Sequence, residues 1–296
     1  MPPDVTLPPQ APAAEPAEPP ETSPTLHGRA GRNLPAAIAV GAALGALALT
    51  TLYAYKPIFV GVVIVAIACG CWEVARSLRV AQLRVPVVPL LAGTVAMELT
   101  AYRNGPEHLV VALLLTVLAI FIWRLPDGAD GYLPDVSAGI FAAVYVPFLA
   151  GFAALIVAPP DGPRRATIFI ATVVANDVGG YAAGVLFGKH PMAPSVSPKK
   201  SWEGFVGSTI ACMACGAILM TLLLNAEFWQ GIVVGLAIVC SATLGDLAES
   251  MIKRDIGVKD MGTLLPGHGG VMDRLDSLLT TAPVAYILLA SFVSPP

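Results

Sequence analysis

Nine apolar runs, each close to the ~20 helical residues that cross a hydrocarbon core, leave this chain few ways to fold. They lie near residues 34–54, 57–74, 85–102, 107–124, 137–158, 166–187, 205–224, 228–250 and 272–293. In lipid the backbone must satisfy its own hydrogen bonds, so runs of this length form helices. The expected fold is all-α, a polytopic integral membrane protein of about nine transmembrane helices. The second and third runs are short, which leaves eight or ten open. Composition agrees: 56% of residues are hydrophobic and 12% charged, about half the charge of soluble domains. A net charge of −3 lacks the basic excess that nucleic acid attracts.

Residues 1–33 differ in kind. They are dense in Pro, Ala and Glu and have no aromatic residue. Such a segment buries too little surface to offset its ordering entropy and is expected to be a disordered cytoplasmic tail. It also has no basic stretch leading into an apolar core, so it does not read as a signal peptide. Residues 34–296 are expected to form one transmembrane catalytic domain. No internal repeat of the transporter kind stands out.

With nine spans, the basic residues fall unevenly between the two sides. Arg29, Arg32, Arg76, Arg79, Arg84, Arg124, Lys189, Lys199, Lys200, Lys253, Arg254, Lys259 and Arg274 share one side. Lys56, Arg103, Arg164 and Arg165 lie on the other. The positive-inside rule then puts the N-terminus in the cytoplasm, the C-terminus outside, and loops 188–203 and 251–271 on the cytoplasmic face of the inner (plasma) membrane. Cys212 and Cys215 form a C-x-x-C, but no His or second pair lies near them. Small apolar side chains packed between helices is the expected reading.

Three polar stretches break the apolar pattern. In "NDVGGYAAGVLFGKHPMAPSVSPKKSWEG" (176–204), Asn176 and Asp177 sit inside a span, which is costly unless they face a polar cavity or each other. Asn176, Gly180 and Gly184 recur at i+4 and let another helix approach closely. Lys189, His190, Ser197, Lys199, Lys200 and Ser201 follow as a basic loop, suited to a nucleotide or simply to anionic lipid. In "GDLAESMIKRDIGVKD" (245–260), Asp246, Glu249, Ser250 and Lys253 share one helical face.

In "GTLLPGHGGVMDRLD" (262–276), Pro266 and the glycines forbid regular helix, and the amides of Gly269 and Gly270 are expected to meet an anion. Asp273 and Asp276 share the first turn of the last helix. With Asp246 they make an oxygen-rich set suited to a hard cation such as Mg²⁺, and Arg274 between them suits a phosphate. No nucleophile elbow or P-loop is present.

The run "SMIKRDIGVKDMGTLLPGHGGVMDRLD" (250–276) resembles the signature of the phosphatidate cytidylyltransferases, or CDP-diacylglycerol synthases. Ser250, Lys253, Arg254, Lys259, Asp260, His268, Gly269, Gly270, Asp273, Arg274 and Asp276 match it, eleven positions in 27 residues. The upstream "GGYAAGVLFGKH" and "SPKKSWEG" resemble the family's second block, so the likeness covers about 170–290. The resemblance implies that CTP and phosphatidic acid react to give CDP-diacylglycerol and pyrophosphate with Mg²⁺. It also implies a homodimer and leaves room for a second, monovalent cation.

On that reading the catalytic set is Asp246, Lys253, Arg254, Lys259, His268, Asp273, Arg274 and Asp276. Asp246, Asp273 and Asp276 hold metal. Lys253, Arg254 and Arg274 hold phosphates, while Lys259 and His268 stabilise the leaving pyrophosphate. Asp177, Ser197, Lys199, Lys200, Ser201, Ser250, Gly269 and Gly270 bind substrate. The rivals are a CTP-using lipid-alcohol kinase and a secondary transporter carrying ions on Asp177 and Asp246. "DGADGYLPD" (127–135) faintly resembles the CDP-alcohol phosphotransferase motif, but without its distal aspartates it reads as a solvated loop.

Overall fold

The computed structural model describes residues 34–262, 264 and 270–293. His268, Gly269, Pro266 and Gly267, and the tail 1–33, lie outside them. Helices α1 (Leu34–Ala54), α2 (Lys56–Leu78), α3 (Val87–Asn104) and α4 (Pro106–Arg124) come first. A longer rod follows, made of α5 (Tyr132–Ala143), a π-turn at Val144–Phe148 and α6 (Leu149–Val157). After α7 (Gly162–Phe187) come two short strands, β1 (Pro191–Ala193) and β2 (Ser197–Ser201), and then α8 (Trp202–Leu224), α9 (Phe228–Ile256) and α10 (Met272–Phe292). All nine expected runs are helical.

The count of spans needs correction. Among the described residues seven helices are long and apolar enough to cross a membrane, not nine. Of the first run, Gly45–Ala54 is an apolar helix among the described residues. The third, α3, is diluted by Glu98, Arg103 and Asn104. The region expected to be a basic loop at 188–203 is a hairpin, pairing Pro191 with Ser201 and Ala193 with Ser197.

Helix packing here uses small residues, because lipid offers no hydrophobic drive between helices and close backbone approach must supply the attraction. A Cβ on Gly180 of α7 would come 2.5 Å from Ser208 Oγ of α8. A Cβ on Gly207 would overlap Ala183 and come 2.7 Å from Gly179 O. The i+4 stripe therefore does bring a neighbouring helix close. Its neighbour is backbone, which cannot swing aside. Gly207→Ala is accordingly expected to destabilise the protein by about 1–3 kcal/mol, checked by unfolding in mixed micelles. No change in the midpoint would refute the backbone-contact reading.

Glycines 216, 231 and 235 do the same between α8 and α9, where a Cβ on Gly235 would overlap Cys212 O. Cys212 and Cys215 are free thiols in this packing, Cys212 donating to Thr172 O at 3.4 Å. The packing reading of the C-x-x-C holds.

Cations cap helix ends at the face away from the polar loops, where unpaired carbonyls carry partial negative charge. Lys56 donates to the carbonyls of Ala158 and Pro159 at 3.1 and 2.8 Å. Arg165 pairs with Asp161 and donates to Leu289 O and Val293 O. The 127–135 stretch is not simply a solvated loop. Asp135 is 4% exposed and accepts from Arg124 at 2.7 Å and from the Arg84 amide at 2.6 Å, while Arg124 also bonds Asp127. Asp135 stands in the first turn of α5, where negative charge is favoured, and braces α4 against the segment leading into α3.

Candidate active site

Below the β-hairpin a cavity of about 230 Å³ opens between α7, α8 and α9. Its polar wall includes Asn176, Asp177, Lys199, Lys200, Ser201 and Asp246. The hairpin is anchored at the N-terminus of α8, where four amides need partners from outside the helix. Ser201 caps it by accepting from Gly204 N at 3.1 Å. Glu203 accepts the amides of Lys189 and His190 and meets the His190 ring at 2.6 Å. Held this way, β2 directs Lys200 to Asp246 at 2.6 Å.

Asp177 accepts from Asn176 Nδ2 at 3.1 Å, the two polar residues meeting each other as their cost in lipid requires. It also lies in the field of Asp246, Lys200 and Arg274. Three helices and the hairpin thus bring opposite charges to one cavity. Ser197 stands at the start of β2 opposite Ala193, and neither it nor Ser250 lines that cavity.

Deeper in, a second group forms where α10 crosses α9. A Cβ on Gly245 would overlap Thr280 Oγ1, so only glycine admits this approach. Asp276 there shares a hydrogen bond with Glu249 and lies in the field of Asp246. The Tyr145 hydroxyl, from the π-turn, is buried without a partner among the described residues, in the field of the same three carboxylates. Glu249 Oε1 is likewise buried and unpartnered. π-turns often mark functional positions in helices.

The third group forms around Asp273. Asp273 Oδ1 accepts from Lys253 Nζ at 2.9 Å, and its two oxygens also accept from Met261 N and Gly270 N. Lys253 is shared with Glu249 at 2.7 Å. The Gly270 amide thus donates to Asp273, and Lys253 donates to two carboxylates. Among the described residues no three His, Cys, Asp or Glu side chains converge as a ready metal cage.

The donor chemistry still fits a hard cation at Asp246, Glu249 and Asp276. These carboxylates lie in one another's field, and a divalent ion with oxygen preference would offset that repulsion. Arg254 and Arg274 are exposed at the helix ends beside this region, and Lys259 is exposed in the connection that follows α9.

Sequence reasoning placed Glu249 on the shared face without giving it a role, and it did not single out Tyr145. The available signal was cost: an ionisable or hydroxyl group inside an apolar run needs a reason to be there.

A helical membrane protein with a cavity that sets basic hairpin residues against carboxylates falls in the class of membrane enzymes suited to anionic substrates. Sequence comparison narrows this. The model of the cytidylyltransferase family matches residues 35–292. The phosphatidate cytidylyltransferase of Mycobacterium leprae (strain TN) is 45% identical over 280 residues, covering 88% of this chain and 89% of its own. That of Mycobacterium bovis (strain ATCC BAA-935 / AF2122/97) is 43% identical over 292 residues, 94% of this chain and 95% of its own. A more distant one, from Brucella suis biovar 1 (strain 1330), is 38% identical over 153 residues, half of this chain and 57% of its own. The chain belongs to the cytidylyltransferase family.

Proposed function

We propose that this enzyme transfers the cytidylyl group of CTP to phosphatidic acid, making CDP-diacylglycerol for phospholipid synthesis. A phosphate oxygen of the lipid attacks the α-phosphorus of CTP. The bond from that phosphorus to the β-phosphate oxygen breaks, and pyrophosphate leaves with its electron pair. The nucleophile is already an anion, so no strong base is needed. The difficulty is bringing two polyanions together, which calls for fixed positive charge and positioning.

The observation that carries this reading is the juxtaposition of Lys200 and Asp246 at one cavity wall, with Lys199 and Ser201 beside them. Lys199 and Lys200 neutralise substrate phosphates, and Ser201 both caps α8 and closes the cavity. Arg254, Lys259 and Arg274 add positive charge where the pyrophosphate departs, and the likeness of the signature assigns His268 and Gly269 to the same leaving group. Asp246, Glu249 and Asp276 would hold Mg²⁺, which when bound offsets phosphate charge. Lys253 and Asp273 act by position: their pair ties α9 to the connection and to α10. The cavity faces the cytoplasm of the inner (plasma) membrane, where CTP is. Phosphatidic acid enters sideways with its chains still in lipid.

The test is a product assay in detergent–lipid micelles with phosphatidic acid, Mg²⁺ and CTP labelled in the cytidine. Label is expected in the lipid fraction with pyrophosphate released. Label confined to soluble CDP, with a lipid alcohol phosphorylated, would establish the kinase instead. Labelling of a cysteine at Lys199 from outside intact cells would refute the orientation.

A further inference from the structure

Glu73 lies on α2, far in sequence from the polar motifs, yet it is 1% exposed. Its Oε2 accepts the N–H of Met272, the first residue of α10, at 2.8 Å. Its Oε1 is buried with no partner among the described residues. Two glycines make room for this carboxylate. A Cβ on Gly262 would overlap Oε1 and lie 2.7 Å from Cγ, and one on Gly270 would lie 2.6 Å from Oε2. One turn along α2, Ser77 Oγ donates to Met261 O at 2.7 Å. A single helix face therefore grips both ends of the connection between α9 and α10.

That grip matters because of what α10 carries. Its first amides have no partner within the helix, and negative charge is favoured there. Glu73 supplies an acceptor at Met272, directly before Asp273, Arg274 and Asp276. Asp273 in turn reaches back to Met261, the residue that Ser77 holds. The arrangement sets the height and rotation of the first turn of α10, and so where Asp276 meets Glu249.

We propose that Glu73 is a positioning residue of the active site, locking the first turn of α10 through Met272 while Gly262 and Gly270 keep its seat open. Its catalytic consequence rests on the cytidylyltransferase reading; the lock itself does not.

The experiment compares full-length wild type, Glu73→Ala, Glu73→Gln, Gly262→Ala and Ile67→Ala in micelles. It combines hydrogen–deuterium exchange with steady-state kinetics and thermal unfolding. Ile67 is a buried core residue on the same helix and serves as the control for general destabilisation. In Glu73→Ala, exchange over 258–277 should rise about tenfold or more while α7 and α8 stay unchanged. Its kcat should fall about 30- to 100-fold with the KM for CTP within about threefold of wild type, because misplacement costs rate while the Lys199–Lys200 wall is untouched.

Gly262→Ala keeps the charge but displaces the carboxylate, and should show the same split. Glu73→Gln retains an oxygen for Met272 and should recover to within about fivefold of wild type. If Glu73→Ala does not fold, these two variants carry the comparison. Unchanged exchange over 258–277, or a kcat loss that merely follows unfolding temperature in all variants including Ile67→Ala, overturns the proposal. A wild type that makes no CDP-lipid overturns the functional reading, while the exchange data still decide the lock.

Discussion

Asp246→Asn is expected to cut CDP-lipid formation by about 10³-fold while the protein still folds and extracts normally. Asp246 is the one carboxylate that touches both halves of the site. Its Oδ2 takes Lys200 at 2.6 Å on the cavity side, and its field reaches Asp276 on the other. Asparagine preserves the shape and removes the charge. Folding should tolerate the change because the side chain is 23% exposed and its ion pair is partly in water. The labelled-CTP assay measures the loss, and an Mg²⁺ titration measures its nature. A rightward shift in Mg²⁺ dependence is expected if Asp246 helps hold the cation. Activity within tenfold of wild type, with an unchanged Mg²⁺ curve, would remove Asp246 from the site.

Asp273→Ala is expected to abolish turnover as well, but by a different route and with a different signature. The Asp273 side chain is 7% exposed and accepts from Lys253, Met261 and Gly270. Its loss leaves a buried ammonium with Glu249 alone and strands two amides. Breaking a buried pair of this kind costs about 3–5 kcal/mol. Thermal unfolding in micelles should therefore drop clearly, whereas Asp246→Asn should scarcely move it. Asp273→Asn, which keeps an acceptor for one amide, should fall between. A fully stable but inactive Asp273→Ala, with altered Mg²⁺ dependence, would return Asp273 to the metal.

These contrasting expectations for two aspartates could not be had from spacing. Asp273 and Asp276 stand three apart on one helix, and Asp246 lies on the preceding one, so they read as a single oxygen cluster. Helical periodicity places side chains on a shared face but does not say which neighbour each one meets. In the fold the amides of Met261 and Gly270 and the ammonium of Lys253 claim Asp273, while Asp276 turns to Glu249. The hairpin at 191–201 was equally hidden, since its short strands between helices give almost no periodicity to detect. The third expected span was overcounted for a related reason. Apolar run length was weighed more heavily than the Glu98, Arg103 and Asn104 that dilute α3.

The sequence by itself determined the solvent, the helices and the family. Apolar runs of this length can satisfy their backbone in lipid only as helices, and lysines, aspartates and glycines stand between them. The family signature lay in those same residues. Only the tertiary structure decided which of them meet: Lys200 with Asp246 at the cavity, and Lys253 with Asp273 beside it. Glu73 makes the case: its partner Met272 is 199 positions away. A lone acid in an apolar run carries no address, because a buried carboxylate is satisfied by whichever amides packing brings to it, and packing is a property of the whole chain.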